Sequence, residues 1–126
     1  MSLSDTFETH VLTYLFTATS VTRPTAWYLG LYTSAPTDSA AGTELSGSGY
    51  TRKTVAFTIS GNLATNTSAV EFPTATGTWG TIVAVAILDA SSSGNILAYA
   101  SLSANKTIAT GDVLRIPAGD LDITLD

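Results

Sequence analysis

The 126-residue sequence contains no cysteine, a single histidine and only 12% charged residues. Without cysteine the protein has no disulfides, thiolate zinc sites or cysteine nucleophiles, so packing must stabilise the fold. Basic residues are also scarce, because five Lys and Arg are outnumbered by ten Asp and Glu, for a net charge of −5. Such a chain has no positive field to hold phosphates. We therefore expect no binding to nucleic acid or to anionic membranes.

Long apolar runs are missing as well. The longest run, Ile82 to Leu88, is far shorter than the ~20 residues that a membrane-spanning helix needs. The N-terminus has no basic start before an apolar stretch, so we expect neither a secretion signal nor a membrane anchor.

The sequence is rich instead in hydrophobic residues, at 44%, and in small polar ones. This composition and the length predict one domain, residues 1–126, with its own core. The charged share is about half of the roughly 25% that soluble domains carry, which leaves a surface built mostly from Ser, Thr, Asn and Gly. A surface of that kind suits a protein that packs among other copies or partners.

One helix is predicted, over residues 2–16. Ser2 or Ser4 can cap it, and Asp5 and Glu8 lie in its first turns, where acidic groups favour the positive end of the helix dipole. Spacings of three and four residues place five apolar side chains on one face: Leu3, Phe7, Val11, Tyr14 and Leu15. Arg23-Pro24 then favours an extended backbone.

Residues 26–125 follow a period of two with turn signals at intervals of roughly 8 to 12 residues, which predicts an antiparallel β-sandwich or flattened barrel. Residues 81–89 should form a central strand buried on both faces, with a hairpin partner over 95–102. Residues 26–33 should form a strand whose two faces both contact protein, and residues 34–49 a long exposed loop.

Residues 50–59 also alternate, which predicts one strand with Val55, Phe57 and Ile59 pointing inward. On the same pattern Arg52 points outward, and with Lys53 it should contribute to a solvated face.

Catalytic chemistry has little support. His10 lies beside the apolar helix face, where a packing or surface role is more common than that of a base. The only Gly-Ser-Gly, residues 47–49, is in a loop without the strand-to-helix context of a nucleophile elbow. We expect no enzymatic activity, no catalytic residue and no cofactor.

Aspartates near the C-terminus raise the question of a calcium site, because Asp120, Asp122 and Asp126 lie close in sequence to Asp112. The spacing lacks the dense Asp and Gly pattern of a calcium loop, and alternating Asp on an edge strand commonly serves solubility. We expect no bound metal.

Aromatic side chains allow two interpretations: an exposed platform for a glycan, or core and interface residues. We favour the second, because the chain has few other large side chains. The candidate interface residues are Phe7, His10, Trp27, Tyr28, Tyr32, Pro36, Tyr50 and Trp79.

Four segments together resemble a small family of tailed-bacteriophage structural proteins, often labelled phage tail fibre or minor structural protein. They are Trp27 to Asp38 (WYLGLYTSAPTD), Gly42 to Arg52 (GTELSGSGYTR), Trp79-Gly80, and Ile116 to Leu125 (IPAGDLDITL). The resemblance covers nearly the whole chain. It implies a virion component, assembled in the host cytoplasm, with no catalytic residues to carry over.

A position on the head or on the tail is left open by that resemblance. Long tail fibres are usually extended and repetitive, whereas this chain has no repeats, so the main prediction is a capsid decoration (cement) protein. It would bind the major capsid protein or other virion proteins as a homo-oligomer, with a trimer matching a capsid three-fold position. Either the N-terminal helix or the 34–49 loop could bind the neighbour. The alternatives are a tail fibre or tail-tip subunit that contacts the host surface, and a connector between tail parts.

Overall fold

The protein, in a computed structural model that describes residues 1–125, is an open antiparallel β-sandwich with one N-terminal helix. The predicted fold class is confirmed, and of its two forms the sandwich is correct, because the described sheets do not close into a barrel. The elements are β1 (Ser2–Leu3), α1 (Asp5–Phe16), β2 (Tyr28–Ser34), β3 (Thr43–Glu44), β4 (Lys53–Thr54), β5 (Phe57–Ser60), β6 (Leu63–Asn66), β7 (Val70–Glu71), β8 (Gly80–Leu88), β9 (Ile96–Ile108), β10 (Arg115–Ile116) and β11 (Asp122–Thr124).

The larger layer is a sheet in the order β1-β9-β8-β2-β3, with β4 also paired to β2. Its central strand β8 is the predicted one, and its run of Ile, Val, Ala and Leu is buried on both faces from Ala84 to Leu88. The predicted hairpin partner is β9, which continues beyond residue 102 to Ile108. Ile82 pairs with Lys106 but Ala84 with Ser101, so three extra residues of β9 bulge out between these pairs. Through this bulge the predicted hairpin strand, residues 95–102, continues into residues 103–108, which the sequence pattern does not assign to the same strand.

Both faces of β2 are covered, as predicted. Leu29 and Leu31 join the main core between the two layers, while Tyr32 packs on the opposite face of the sheet with Leu88. Gly30 sits where a Cβ would lie 2.9 Å from Leu88 Cδ1, so any larger residue there would have to displace the end of the Leu88 side chain.

The second layer consists of the sheet β11-β6-β5 and the pair β10-β7. The predicted single strand over 50–59 is wrong, because β4 pairs with β2 in the large sheet whereas β5 pairs with β6 in the small one. The chain thus crosses between layers near Val55, which is buried. Ile59, predicted to point inward, is instead 68% exposed.

The start of the helix and the 34–49 loop also differ from the prediction. The helix begins at Asp5 rather than Ser2, because Ser2 and Leu3 pair with the edge of β9. Ser4 is the N-cap, and its hydroxyl donates to Ile96 O at 2.6 Å. The 34–49 segment is not wholly exposed: β3 pairs with β2, and Pro36 and Leu45 are buried.

Candidate interaction surface

The end of α1 exposes an unusual amount of apolar surface. Among the described residues seven large apolar side chains are exposed, and four lie in this helix: Leu12 at 60%, Tyr14 at 72%, Leu15 at 61% and Phe16 at 77%. We call these four residues the helix-end surface. Soluble monomers seldom leave so much apolar side-chain surface uncovered in one place without a functional reason.

The last turn of α1 stands clear of the sandwich. Successive helical residues point about 100° apart, yet Tyr14, Leu15 and Phe16 are all mostly exposed, so no side of this turn packs against the body. Phe7, two turns earlier, is buried and anchors the helix, with its ring 4.8 Å from that of His10. The helix is held at its first half and projects at its second.

This placement corrects the predicted apolar stripe. Phe7 is buried and Val11 half-buried, but Tyr14 and Leu15 are exposed and Leu3 belongs to β1. Sequence reasoning missed Leu12 and Phe16. The available signal was the spacing of Leu12, Leu15 and Phe16 at i, i+3 and i+4, which gives the helix a second apolar face beside the packed one.

The eight candidate interface residues do not form one surface. Phe7, Tyr32, Pro36 and Trp79 are buried within the chain, and His10, Trp27, Tyr28 and Tyr50 are half-buried. The buried four pack inside this copy and offer little surface to a neighbour. The indole of Trp79 donates to Ser48 O at 2.8 Å, and Tyr50 stacks on Phe72 with ring centroids 6.1 Å apart. Their role as an interface stays a prediction.

A polar network ties the chain together beside Tyr50. Arg52 Nε and Nη2 donate to the two carboxylate oxygens of Glu44 at 2.8 and 2.7 Å, and Nη1 donates to the carbonyls of Ala90 and Ser93, each at 2.7 Å. The prediction that Arg52 is solvated is therefore wrong, because its side chain spans from β3 to the β8–β9 turn. Tyr50 OH also donates to Glu44, at 2.8 Å.

Opposing effects set the pKa of Glu44. Burial alone would raise the pKa of this carboxyl, but the hydrogen bonds from Arg52 and Tyr50 outweigh it and hold the pKa below its usual value. Burial raises the pKa of Tyr50, and the pKa of Tyr32 nearby rises to about 12 for the same reason. Every group here keeps its ordinary charge near neutral pH, so the network acts as a structural clamp.

An apolar groove of about 410 Å³ opens between the large sheet and β11-β6-β5. We call it the intersheet groove. Leu3 and Leu97 line it from the large sheet, and Phe57, Ile59 and Ile123 from the small one. Arg23 and Trp27, from the segment between α1 and β2, also line the groove, and Arg23 is exposed.

Other kinds of site were sought across residues 1–125. No group of three His, Cys, Asp or Glu side chains there could hold a metal ion; Asp126, part of the calcium question, lies outside the described residues. No helix in that range has the length and apolar character needed to cross a membrane. The helix-end surface and the intersheet groove are two apolar features that a single copy leaves uncovered.

Comparison with protein families gives a match that spans nearly the whole chain. A family model described as "Podophage GP4 fiber I protein gp80" matches residues 2–124, which include all the helices and strands named above. No curated protein matches the chain.

Proposed function

Since this chain belongs to the podophage GP4 fiber I protein gp80 family, a family of phage virion structural proteins, we propose that it is a subunit of a virion fibre. In this proposal it acts without catalysis, joins the particle after synthesis in the host cytoplasm, and attaches to other virion proteins or copies of itself. The observation that carries the attachment is the helix-end surface, where four large apolar side chains meet solvent.

A fibre subunit accounts for that exposure. An apolar projection costs solubility in a solitary protein but stabilises an assembly, where burying one Leu or Phe contributes ~1.5–3 kcal/mol. Fibres and their attachment points are built from such repeated contacts between chains. The low charged share, 12%, fits a protein whose surface is largely covered by neighbours.

The family description supports the tail-fibre alternative better than capsid decoration. Absence of sequence repeats, the argument for a head position, does not separate the two, because a fibre can also be built by stacking short subunits. Capsid decoration, a trimeric state and the major capsid protein as partner stay predictions.

Phage particles that lack the protein test this function. For a fibre subunit we expect particles whose heads resist heating as wild-type heads do, but which adsorb to host cells at least tenfold less well. Normal adsorption together with heads that burst at lower temperature would instead show a decoration protein and would refute the proposal.

A single substitution tests the attachment surface. Phe16→Asp should fold normally, because the side chain is exposed, yet it should be depleted from purified virions on a quantitative immunoblot. Val113→Asp is the matched control, since Val113 is also an exposed apolar residue but lies outside the helix. Equal incorporation of both variants would show that the helix end is not the attachment surface.

A further inference from the structure

We propose that the intersheet groove of one copy binds the helix-end surface of a second copy, so that chains join head to tail. The inference rests on the proposed function in taking the helix end as an attachment surface, and it adds the partner. It is carried by two apolar surfaces at different places on one chain, each uncovered in a single copy.

The helix end does not fill the groove of its own copy. None of the residues that line the groove belongs to α1, although Leu3 precedes the helix and Arg23 follows it. The groove is lined almost wholly by apolar side chains, as is the helix end, and a helix that lays apolar side chains into such a groove is a recurring mode of recognition.

Charge complements this apolar match. The last intrahelical hydrogen bond runs from the Thr17 amide to Thr13 O, which leaves the carbonyls of the final turn without helical partners and the helix end partially negative. The last turn contains no basic residue to offset that charge. Arg23, at the groove, is in no salt bridge within residues 1–125 and can donate to those carbonyls from the neighbouring copy.

The available area suits a weak, reversible contact. Leu12, Leu15 and Phe16 share one face of the helix, and with exposed Leu and Phe side chains each offering on the order of 100–150 Å², that face buries on the order of 400 Å². Counting the groove, one contact removes about 800 Å², in the range of weak interfaces. Because donor and acceptor surfaces differ, each copy makes two contacts, and the assembly closes into a ring or extends as a filament.

Two variants of the full chain, each damaged on one side of the contact, test this arrangement by sedimentation velocity. Leu15→Asp disables the helix end and Ile59→Arg the groove, and both replace exposed side chains. We expect wild type and the control Val113→Asp to form oligomers. Each variant alone should be monomeric, with the association constant lowered at least tenfold.

Mixing the two variants gives the decisive result. The intact helix end of Ile59→Arg should enter the intact groove of Leu15→Asp, so the mixture should yield a species of two chains that neither variant forms alone. A monomeric mixture, an Ile59→Arg protein that oligomerises as wild type does, or a monomeric wild type would overturn the inference. The virion experiments above are independent of this result: depletion of Phe16→Asp from virions with no pairing here would leave the fibre role intact and assign the helix end to another partner.

Cysteine cross-linking provides a second test that does not depend on charge substitutions. Because the chain has no native cysteine, Phe16→Cys and Ile59→Cys copies, mixed under mild oxidation, should form a disulfide-linked heterodimer. Val113→Cys mixed with Ile59→Cys should not. Equal cross-linking of the two mixtures would contradict a specific contact.

Discussion

Replacing Arg52 by Met should destabilise the sandwich far more than replacing an exposed arginine such as Arg115. The substitution removes four hydrogen bonds, two to Glu44 and two to the carbonyls of Ala90 and Ser93. Hydrogen bonds to charged groups contribute about 1.5–3 kcal/mol, and breaking a buried pair on one side leaves the other charge uncompensated. The Arg52 side chain is 8% exposed but that of Glu44 is 24% exposed, so water replaces part of the loss. We expect the free energy of unfolding to fall by about 3 kcal/mol.

Urea unfolding followed by circular dichroism measures this loss, and thermal unfolding should show a Tm lower by about 10 °C. Arg115→Met is the matched control: Arg115 is exposed and forms no salt bridge within residues 1–125, so its loss should change stability by no more than about 0.5 kcal/mol. If Arg52→Met lay within about 1 kcal/mol of wild type, the network would not stabilise the fold as argued.

Three further predictions concern the same fold. The lowered pKa of Glu44 means that its stabilisation is present above the unfolded pKa of about 4.3 and is lost as pH falls through the folded value, so Glu44→Gln should reduce the acid-side fall in Tm. Val85→Asp buries an unpaired carboxylate at a site 3% exposed, which costs several kcal/mol of a total near 5–15, so circular dichroism should show an unfolded chain; unchanged melting would contradict its central position. Asn66→Ala removes the hydrogen bonds that Asn66 donates to the Ser68 and Pro117 carbonyls and accepts from the Leu121 amide. Urea unfolding should show the free energy of unfolding lowered by about 3 kcal/mol, and a decrease below about 1 kcal/mol would mean that water replaces the Asn66 side chain.

Sequence periodicity predicted the centre of the fold well, because burial there is decided locally. The run from Ile82 to Leu88 is apolar at every position, and only a strand covered on both faces satisfies such a run. The hairpin to β9 follows from the turn residues at 91–94. The presence of one helix near the N-terminus followed from its three- and four-residue spacing.

Features set by long-range contacts were not predicted. Alternation over residues 50–59 is the same whether the strand stays in one sheet or crosses between two, so neither the break near Val55 nor the exposure of Ile59 was visible. In the sequence Arg52 is indistinguishable from a solvent-exposed cation, because its partners, Glu44 and the β8–β9 turn, are brought next to it only by the fold. Asn66 likewise gains its buried role only when the C-terminal segment folds over it.

The end of α1 shows most clearly what sequence periodicity cannot predict. Apolar spacing predicts that α1 has faces that avoid water, but it does not say whether this chain or another covers them. Phe7 is covered by its own chain, whereas Phe16 is not. The predicted interface residues were chosen among the aromatic side chains, yet they did not include Tyr14 and Phe16, the most exposed aromatic side chains of the described residues. Tyr14 had been assigned to the packed face of the helix, and Phe16 had been given no role.

The position of the protein in the virion tests the central claim most directly. Antibody-gold labelling of intact particles, raised against the purified chain and imaged by electron microscopy, locates it without any mutation. The fibre proposal predicts gold at the fibres and none above background on the head. Gold spread evenly over the capsid surface, with bare fibres, would contradict it.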